Sequence, residues 1–127
     1  MNLIVLKKKY SIYKFKNDCV LPGWIYLSDF YSITKTKDEL SVIAIQADSI
    51  SEKIMCSKDW RILKVAGPLD FSLIGIIADI SIILKEKKIP IFTISTYDTD
   101  YILVKQNKLY IGIKALRDKK YIISLEK

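Results

Sequence analysis

The chain has 127 residues, half of them hydrophobic and 11% aromatic, with 21 Lys+Arg against 14 Asp+Glu and a formal charge of +7. That is enough apolar material for one compact domain or two very small ones sharing a core, and it excludes a disordered chain. No histidine occurs, so Ser-His-Asp and Cys-His chemistry are excluded, and no side chain titrates near neutrality without a strongly shifted pKa; catalysis is not expected.

In chain order, Leu3–Leu6 is an apolar run that reads as a strand. Lysines follow it, whereas a signal peptide carries its charges first and a small-residue cleavage site afterwards. Secretion is therefore not expected, and a cytoplasmic location is. Tyr10–Phe15 reads as a second strand. Cys19 and Cys56 are isolated, without CxxC spacing. With no histidine available, the usual transition-metal sites have too few ligands, so both cysteines read as reduced thiols and neither a metal nor a cofactor is expected. Val20–Leu27, with Pro22, Gly23 and Trp24, predicts a short helical turn. Phe30–Thr36 and Leu40–Gln46 flank the polar break Lys37-Asp38-Glu39, which suits a hairpin. Ala47–Glu52 predicts one helical turn, and Lys53–Ser57 an extended link.

The second half is more regular. Trp60–Ala66 is rich in apolar and β-branched residues and stops at Gly67-Pro68, a strand ending in a turn. From Leu73, the positions Leu73, Ile76, Ile77, Ile80, Ile83 and Leu84 follow the spacing of a helix face, with Asp70 or Ser72 as N-cap and Lys85, Lys87 and Lys88 at the end. The apolar stretch Leu73–Leu84, interrupted by Asp79, is far short of the roughly 20 residues that cross a bilayer; it reads as a core helix, and no membrane association is expected. Pro90 introduces the strand Ile91–Ser95. The turn Thr96–Asp100 then leads to Tyr101–Lys105, giving an antiparallel hairpin. Leu109, Ile113 and Leu116 mark a shorter helix capped by Asn107, weakened at Gly112 by about 1 kcal/mol relative to Ala. Tyr121–Leu125 closes the series as a strand.

Lysines fall in small groups, at Lys7–Lys9, at Lys85 with Lys87 and Lys88, and at Lys119–Lys120. Cations after a helix complement its dipole, and the net charges of the halves, +2 for Met1–Asp59 and +5 for Trp60–Lys127, are only mildly skewed. The groups read as solvated surface charge rather than a phosphate-binding stripe.

The order β-α-β-β-α-β over the second half is the ferredoxin-like arrangement, a sheet with two helices on one face. The hairpins FYSITKT/ELSVIAI and IFTISTY/YILVK hold matching places in the two halves. The expectation is therefore an α+β chain with a tandem repeat of about sixty residues, 1–59 being the degenerate copy and 60–127 the regular one. The strand near Asp59-Trp60 is able to serve both.

Two segments carry the chemistry. AGPLDFSLIG passes from a strand through a glycine turn into a helix start, where free N–H groups and the helix dipole attract an anion such as a carboxylate. STYDTDYILV holds Asp98 and Asp100 at a tight turn, supplying negative charge for an ammonium. Together they suggest a pocket for a zwitterion. Each residue also has a purely structural explanation. Asp70 and Ser72 suit helix capping, Asp98 an Asx-type turn, Gly67 a turn conformation, Gly75 close helix packing, and Phe71 a core anchor.

The segments YSIYKF, SITKTKDELSV, W-R-x-L-K-V-x-GPLDFSLIGI and ISTYDTDYILVK resemble the small bacterial proteins built from two ACT units. They are also similar to the ACT regions of aspartate kinases and of the cytosolic arginine sensors. The resemblance runs from about Tyr10 to Tyr121. It implies two tandem ferredoxin-like (βαββαβ) ACT units, with antiparallel sheets and helices on one face. It also implies sensing rather than catalysis, with a small amino acid bound where two units meet. Carried onto this chain, the ligand loop is Gly67, Pro68, Leu69, Asp70, Phe71 and Ser72, and Leu73, Ile74 and Gly75 open the helix. The aspartate that follows the hairpin turn in the arginine sensors matches Asp100, with Asp98 beside it. Ser32 and Ile33 are candidates for lining an interface, although ordinary strand packing is the better explanation of both.

A homodimer is expected from the exposed sheet edges and small size, and a protein partner from the regulatory role. A ligand-free interaction module is the alternative. RNA binding is not expected, because YILVKQN lacks the aromatic pattern of RNA-recognition modules. AGPLDFS also lacks the arginine and asparagine that an acylphosphatase-like phosphate cradle would need.

Overall fold

The computed structural model describes residues 2–51, 54–66 and 75–127. The chain divides into two compact units, one formed by Lys8–Trp60 and the other by Met1–Lys7 with Arg61–Lys127. Both combine antiparallel strands with helical elements, giving the α+β class and the ferredoxin-like plan expected from the sequence.

In the N-terminal unit, strands β2 (Tyr10–Phe15), β3 (Ser32–Lys35), β4 (Leu40–Ile45) and the start of β5 (Met55–Val65) line up in the order β3-β4-β2-β5. β2 and β4 pair antiparallel without interruption from Tyr10↔Ile45 to Phe15↔Leu40. Alternation along them turns Tyr13, Phe15, Leu40, Val42 and Ala44 to one face. That face is covered by a 3-10 turn, Gly23–Leu27, whose Ile25 is fully buried. Trp24 packs edge-on to Tyr13, with ring centroids 5.4 Å apart.

The helical turn expected around Val20–Leu27 is thus the shorter 3-10 form. The one expected over Ala47–Glu52 does not form among the described residues 47–51; there Ile50 packs on the core from an irregular segment. Between Ile12↔Ser57 and Tyr10↔Trp60 the β2–β5 register shifts by one residue, the signature of a β-bulge. Asp59 takes the left-handed conformation there, φ 65°. It is pinned by Gln46, whose side chain both accepts from the Asp59 N–H (2.6 Å) and donates to its carboxylate (3.1 Å).

In the C-terminal unit the remainder of β5 is followed by α1 (Ile76–Glu86), β6 (Ile91–Ser95), β7 (Asp100–Lys105), α2 (Leu109–Asp118) and β8 (Ile122–Leu125). This is the β-α-β-β-α-β order read from the sequence. The four strands of that order do not make up the sheet alone: its order is β6-β7-β5-β1-β8, with β1 (Asn2–Val5) inserted between β5 and β8. β1 runs antiparallel to β5 (Leu3↔Val65, Val5↔Leu63) and parallel to β8 (Leu3↔Ile123). The first strand, which the sequence reading grouped with residues 1–59, packs in the C-terminal unit. Burial accounts for this placement. Leu3 and Val5 are 0% and 1% exposed and join Leu63, Val65, Ile102, Val104 and Ile123 in one core.

Onto that face α1 lays Ile80, Ile83 and Leu84, and α2 lays Leu109, Ala115 and Leu116, so both helices lie on one side of the sheet. Each Ile or Leu among these side chains contributes about 1.5–3 kcal/mol on full burial. Gly112 is buried where the helices approach; a Cβ there would stand 3.4 Å from Leu84 Cδ2 and 3.6 Å from Ile89 Cδ1.

The lysine pairs close the helices. Lys88 (φ 58°) and Lys120 (φ 75°) adopt the left-handed conformation, and the next N–H in each case donates back into the helix, Ile89 to the Leu84 carbonyl and Tyr121 to that of Leu116, both at 3.1 Å. This is the Schellman closure. At the start of α2 a 3-10 turn, Gln106–Lys108, displaces the expected cap: Asn107 lies inside that turn, and Lys108 stands at the N-cap without a side-chain bond.

Candidate functional site

The site read from the sequence has two walls, a strand-to-helix loop and a hairpin turn. Of the loop, Gly67, Asp70, Phe71, Ser72, Leu73 and Ile74 lie outside the described residues. Its two ends are described. On one side β5 reaches Val65, and the Ala66 N–H donates to the Asn2 carbonyl at 2.8 Å. On the other, Gly75 is the N-cap of α1 with φ 89° and ψ 9°, and its carbonyl accepts the Asp79 N–H at 2.8 Å. A positive φ of this size is costly for any residue with a Cβ, which gives Gly75 a backbone reason to be glycine. Gly75 makes no side-chain cap bond, and the capping expected of Asp70 or Ser72 lies outside the described residues.

The hairpin turn is tightly built. Thr96 N–H donates to the Thr99 carbonyl at 2.8 Å, and Thr99 N–H returns to Thr96 Oγ1 at 3.2 Å. Thr99, only 6% exposed, donates its hydroxyl to the Val65 carbonyl at 2.5 Å. One hydroxyl thus fastens the turn to the last residue of β5, immediately before the loop. Asp100, half-buried, opens β7 opposite Ser95 and accepts that residue's hydroxyl at 2.5 Å. Asp98 is exposed. The turn bonds that an Asx-type role would have given Asp98 are made by Thr96 and Thr99.

Sequence reasoning missed Thr99 and Ser95, although a signal was present. Thr36-Lys37-Asp38-Glu39 and Thr96-Tyr97-Asp98-Thr99 match in position. The first turn closes like the second, with Thr36 N–H on the Glu39 carbonyl (2.9 Å) and Glu39 N–H on Thr36 Oγ1 (3.1 Å). A threonine at the first place of both hairpin turns was legible; the inward hydroxyl of Thr99 was not. Ser32 and Ile33 lie on β3, paired with Ile43 and Val42.

Asp79, in the first turn of α1, accepts the hydroxyl of Tyr121. Burial pushes that hydroxyl well above its usual range, and the hydrogen bond to Asp79 and the charge of that carboxylate push it the same way. Among the described residues no group of three or more His, Cys, Asp or Glu is arranged to hold a metal ion. No helix among them is long and apolar enough to cross a membrane.

Comparison with known proteins gives the family. The ACT domain model matches residues 55–118, and a model of a distinct N-terminal domain matches residues 8–53, close to the first unit. A crystal structure of a protein from Agobacterium tumefaciens is 31% identical, with a TM-score of 0.90 over 99% of this chain and 93% of that one. A Vibrio cholerae protein of unknown function shares the fold at 14% identity and a TM-score of 0.73, covering 92% of this chain and 88% of its own. So does the ligand-free regulatory subunit of aspartate kinase from Thermus thermophilus, at 8% identity and a TM-score of 0.62, covering 91% and 95%. No curated protein matches the chain. With the ACT model spanning half of the sequence and a relative 31% identical along nearly all of it, the chain belongs to the ACT domain family.

Proposed function

We propose that this protein is a ligand-sensing regulator that binds a small amino acid where two ACT units associate, performs no catalysis of its own, and acts in the cytoplasm as a homodimer through a protein partner. The ligand carboxylate is held by the 67–75 segment, through Gly67, the backbone around Asp70, Phe71, Ser72, Leu73 and Ile74, and Gly75 at the helix start. The ammonium or a basic side chain is met by Asp100, with Asp98 adding charge. The observation that supports this reading best is the buried Thr99 hydroxyl on the Val65 carbonyl, which fixes the acidic turn against the strand leading into that segment. The regulatory role of an aspartate kinase subunit of the same fold points the same way.

Thermal unfolding with each of the twenty amino acids at millimolar concentration tests the proposal. A ligand at 100 times its dissociation constant adds about 2.7 kcal/mol of stability. The responding amino acid loses its effect on Asp100→Ala and on Asp100→Asn, the second of which keeps an acceptor for Ser95. A shift retained by both variants removes Asp100 from the site. If no amino acid stabilises the wild type, the protein is a ligand-free interaction module.

A further inference from the structure

The N-terminal unit holds a cleft of 550 Å³ that the reading above does not use. It is built entirely within Lys8–Trp60, at the end of the sheet where β2 runs out, β5 begins and the β3–β4 turn projects. Its lining combines Phe15, Ile54 and Met55 with four charged residues, Lys14, Lys16, Asp18 and Asp38, and with Cys19. The volume falls in the range of small-molecule sites, roughly 300–1,000 Å³.

Its walls are fixed by hydrogen bonds. Cys19 N–H donates to the Lys16 carbonyl at 3.0 Å, and Asn17 Nδ2 donates to the Lys37 carbonyl at 2.5 Å, tying the loop after β2 to the hairpin turn. None of the four charged side chains is in an ion pair among the described residues. Among the described residues the cleft therefore offers two cations and two carboxylates that are in no ion pair, around an apolar surface. That balance favours neither a polyanion nor a polycation. It matches a molecule that carries one charge of each sign and an apolar body.

We propose that this cleft binds a zwitterion with a bulky apolar side chain, an aromatic amino acid or an apolar dipeptide, its carboxylate on Lys14 and Lys16 and its ammonium on Asp18 and Asp38. Within the repeat, Asp38 holds the place in its turn that Asp98 holds in the other. The site does not depend on Asp100 or on the 67–75 segment.

Cys19 lines the cleft and is exposed, so its alkylation rate, followed by peptide mass to separate it from Cys56, reports occupancy. Phenylalanine, tryptophan and leucyl-phenylalanine at millimolar concentration are expected to slow Cys19 labelling at least fivefold. Glycine and N-acetyl-phenylalaninamide, which lack the apolar body and the charges respectively, are expected to leave it unchanged. Lys16→Gln and Asp38→Asn, both at the surface, should each lower the protection severalfold, while Asp100→Ala preserves it. The proposal is overturned if none of the three zwitterions protects Cys19 or if the uncharged amide protects equally. It is likewise overturned if both cleft variants keep full protection or if Asp100→Ala abolishes it. The amino-acid response at Asp100 is read separately, by thermal shift, so either site is able to fail without the other.

Discussion

Replacing Thr99 by valine tests the mechanical link between the acidic turn and the strand leading into the 67–75 segment. Valine keeps the shape and β-branching of threonine but deletes the hydroxyl that donates to the Val65 carbonyl at 2.5 Å. The site is 6% exposed, so water does not readily replace the lost donor, and leaving a buried acceptor without that partner costs about 1–3 kcal/mol. The bonds of the turn to Thr96 that involve the Thr99 backbone survive, which keeps the loss near the middle of that range. About 2 kcal/mol with a urea m-value of about 1–3 kcal/mol/M lowers the unfolding midpoint by about 1 M, with m unchanged. Thr99→Ser keeps the hydroxyl and loses one methyl, about 0.8 kcal/mol at most, and should lie between the two. A valine variant within 0.5 kcal/mol of wild type, or a serine variant as unstable as valine, refutes the claim that this hydroxyl anchors the turn.

Three further predictions concern backbone and titration. Gly75→Ala places a side chain at φ 89°, with nothing among the described residues within 4 Å of its Cβ, so a conformational cost of about 1–2 kcal/mol is expected; a melting temperature equal to wild type would sink it. Gly112→Ala brings Cβ into ordinary contact with Leu84 and Ile89 while adding helix propensity of about 1 kcal/mol, so chemical denaturation should show a net gain of about 0.5–1 kcal/mol, and a loss would mean that the helices cannot tolerate one methyl. Tyr121 keeps its proton in the folded state at pH values where the unfolded chain, titrating near 10, has lost it. Its contribution is thus complete below pH 10 and disappears as pH rises toward the folded value, with a slope of about 1.4 kcal/mol per pH unit. Tyr121→Phe should flatten the alkaline limb of the stability profile, and an unchanged slope would count against the hydrogen bond to Asp79.

The C-terminal unit was legible because its signals are local. The spacing Ile76, Ile77, Ile80, Ile83, Leu84 marks one helix face whatever surrounds it, and the β-branched runs at Ile91–Ser95 and Tyr101–Lys105 are separated by a turn too short for anything but a hairpin. Tyr10–Phe15 was legible for the same reason. The membership of β1 was not, since its few apolar residues say nothing about partners at Leu63–Val65 and Ile122–Leu125. Asn107 carried an N-cap signal that a 3-10 turn overrode. Of the candidate site, the acids were visible as residue types, but the roles of Thr99 and Ser95 depend on which way side chains point from a turn, a tertiary fact.

The position of β1 has a consequence for how the chain is assembled. Because β1 and the later part of β5 are antiparallel neighbours, with Val5 opposite Leu63 and the Leu6 N–H on the Ile62 carbonyl, residues 8–60 are, topologically, an insertion into the loop of a hairpin. The inserted unit has all its strands within one continuous stretch and is able to fold as it leaves the ribosome. The host cannot finish its sheet until β8 has been made, more than a hundred residues after β1, so the edge of β1 that pairs β8 waits until the last strand appears, while its other edge has β5. The same topology makes the insertion removable. Joining Lys7 to Arg61 through a two-residue turn restores an ordinary hairpin and yields a host with all five strands and both helices, whereas cutting at residue 60 leaves β8 without the strand it pairs with.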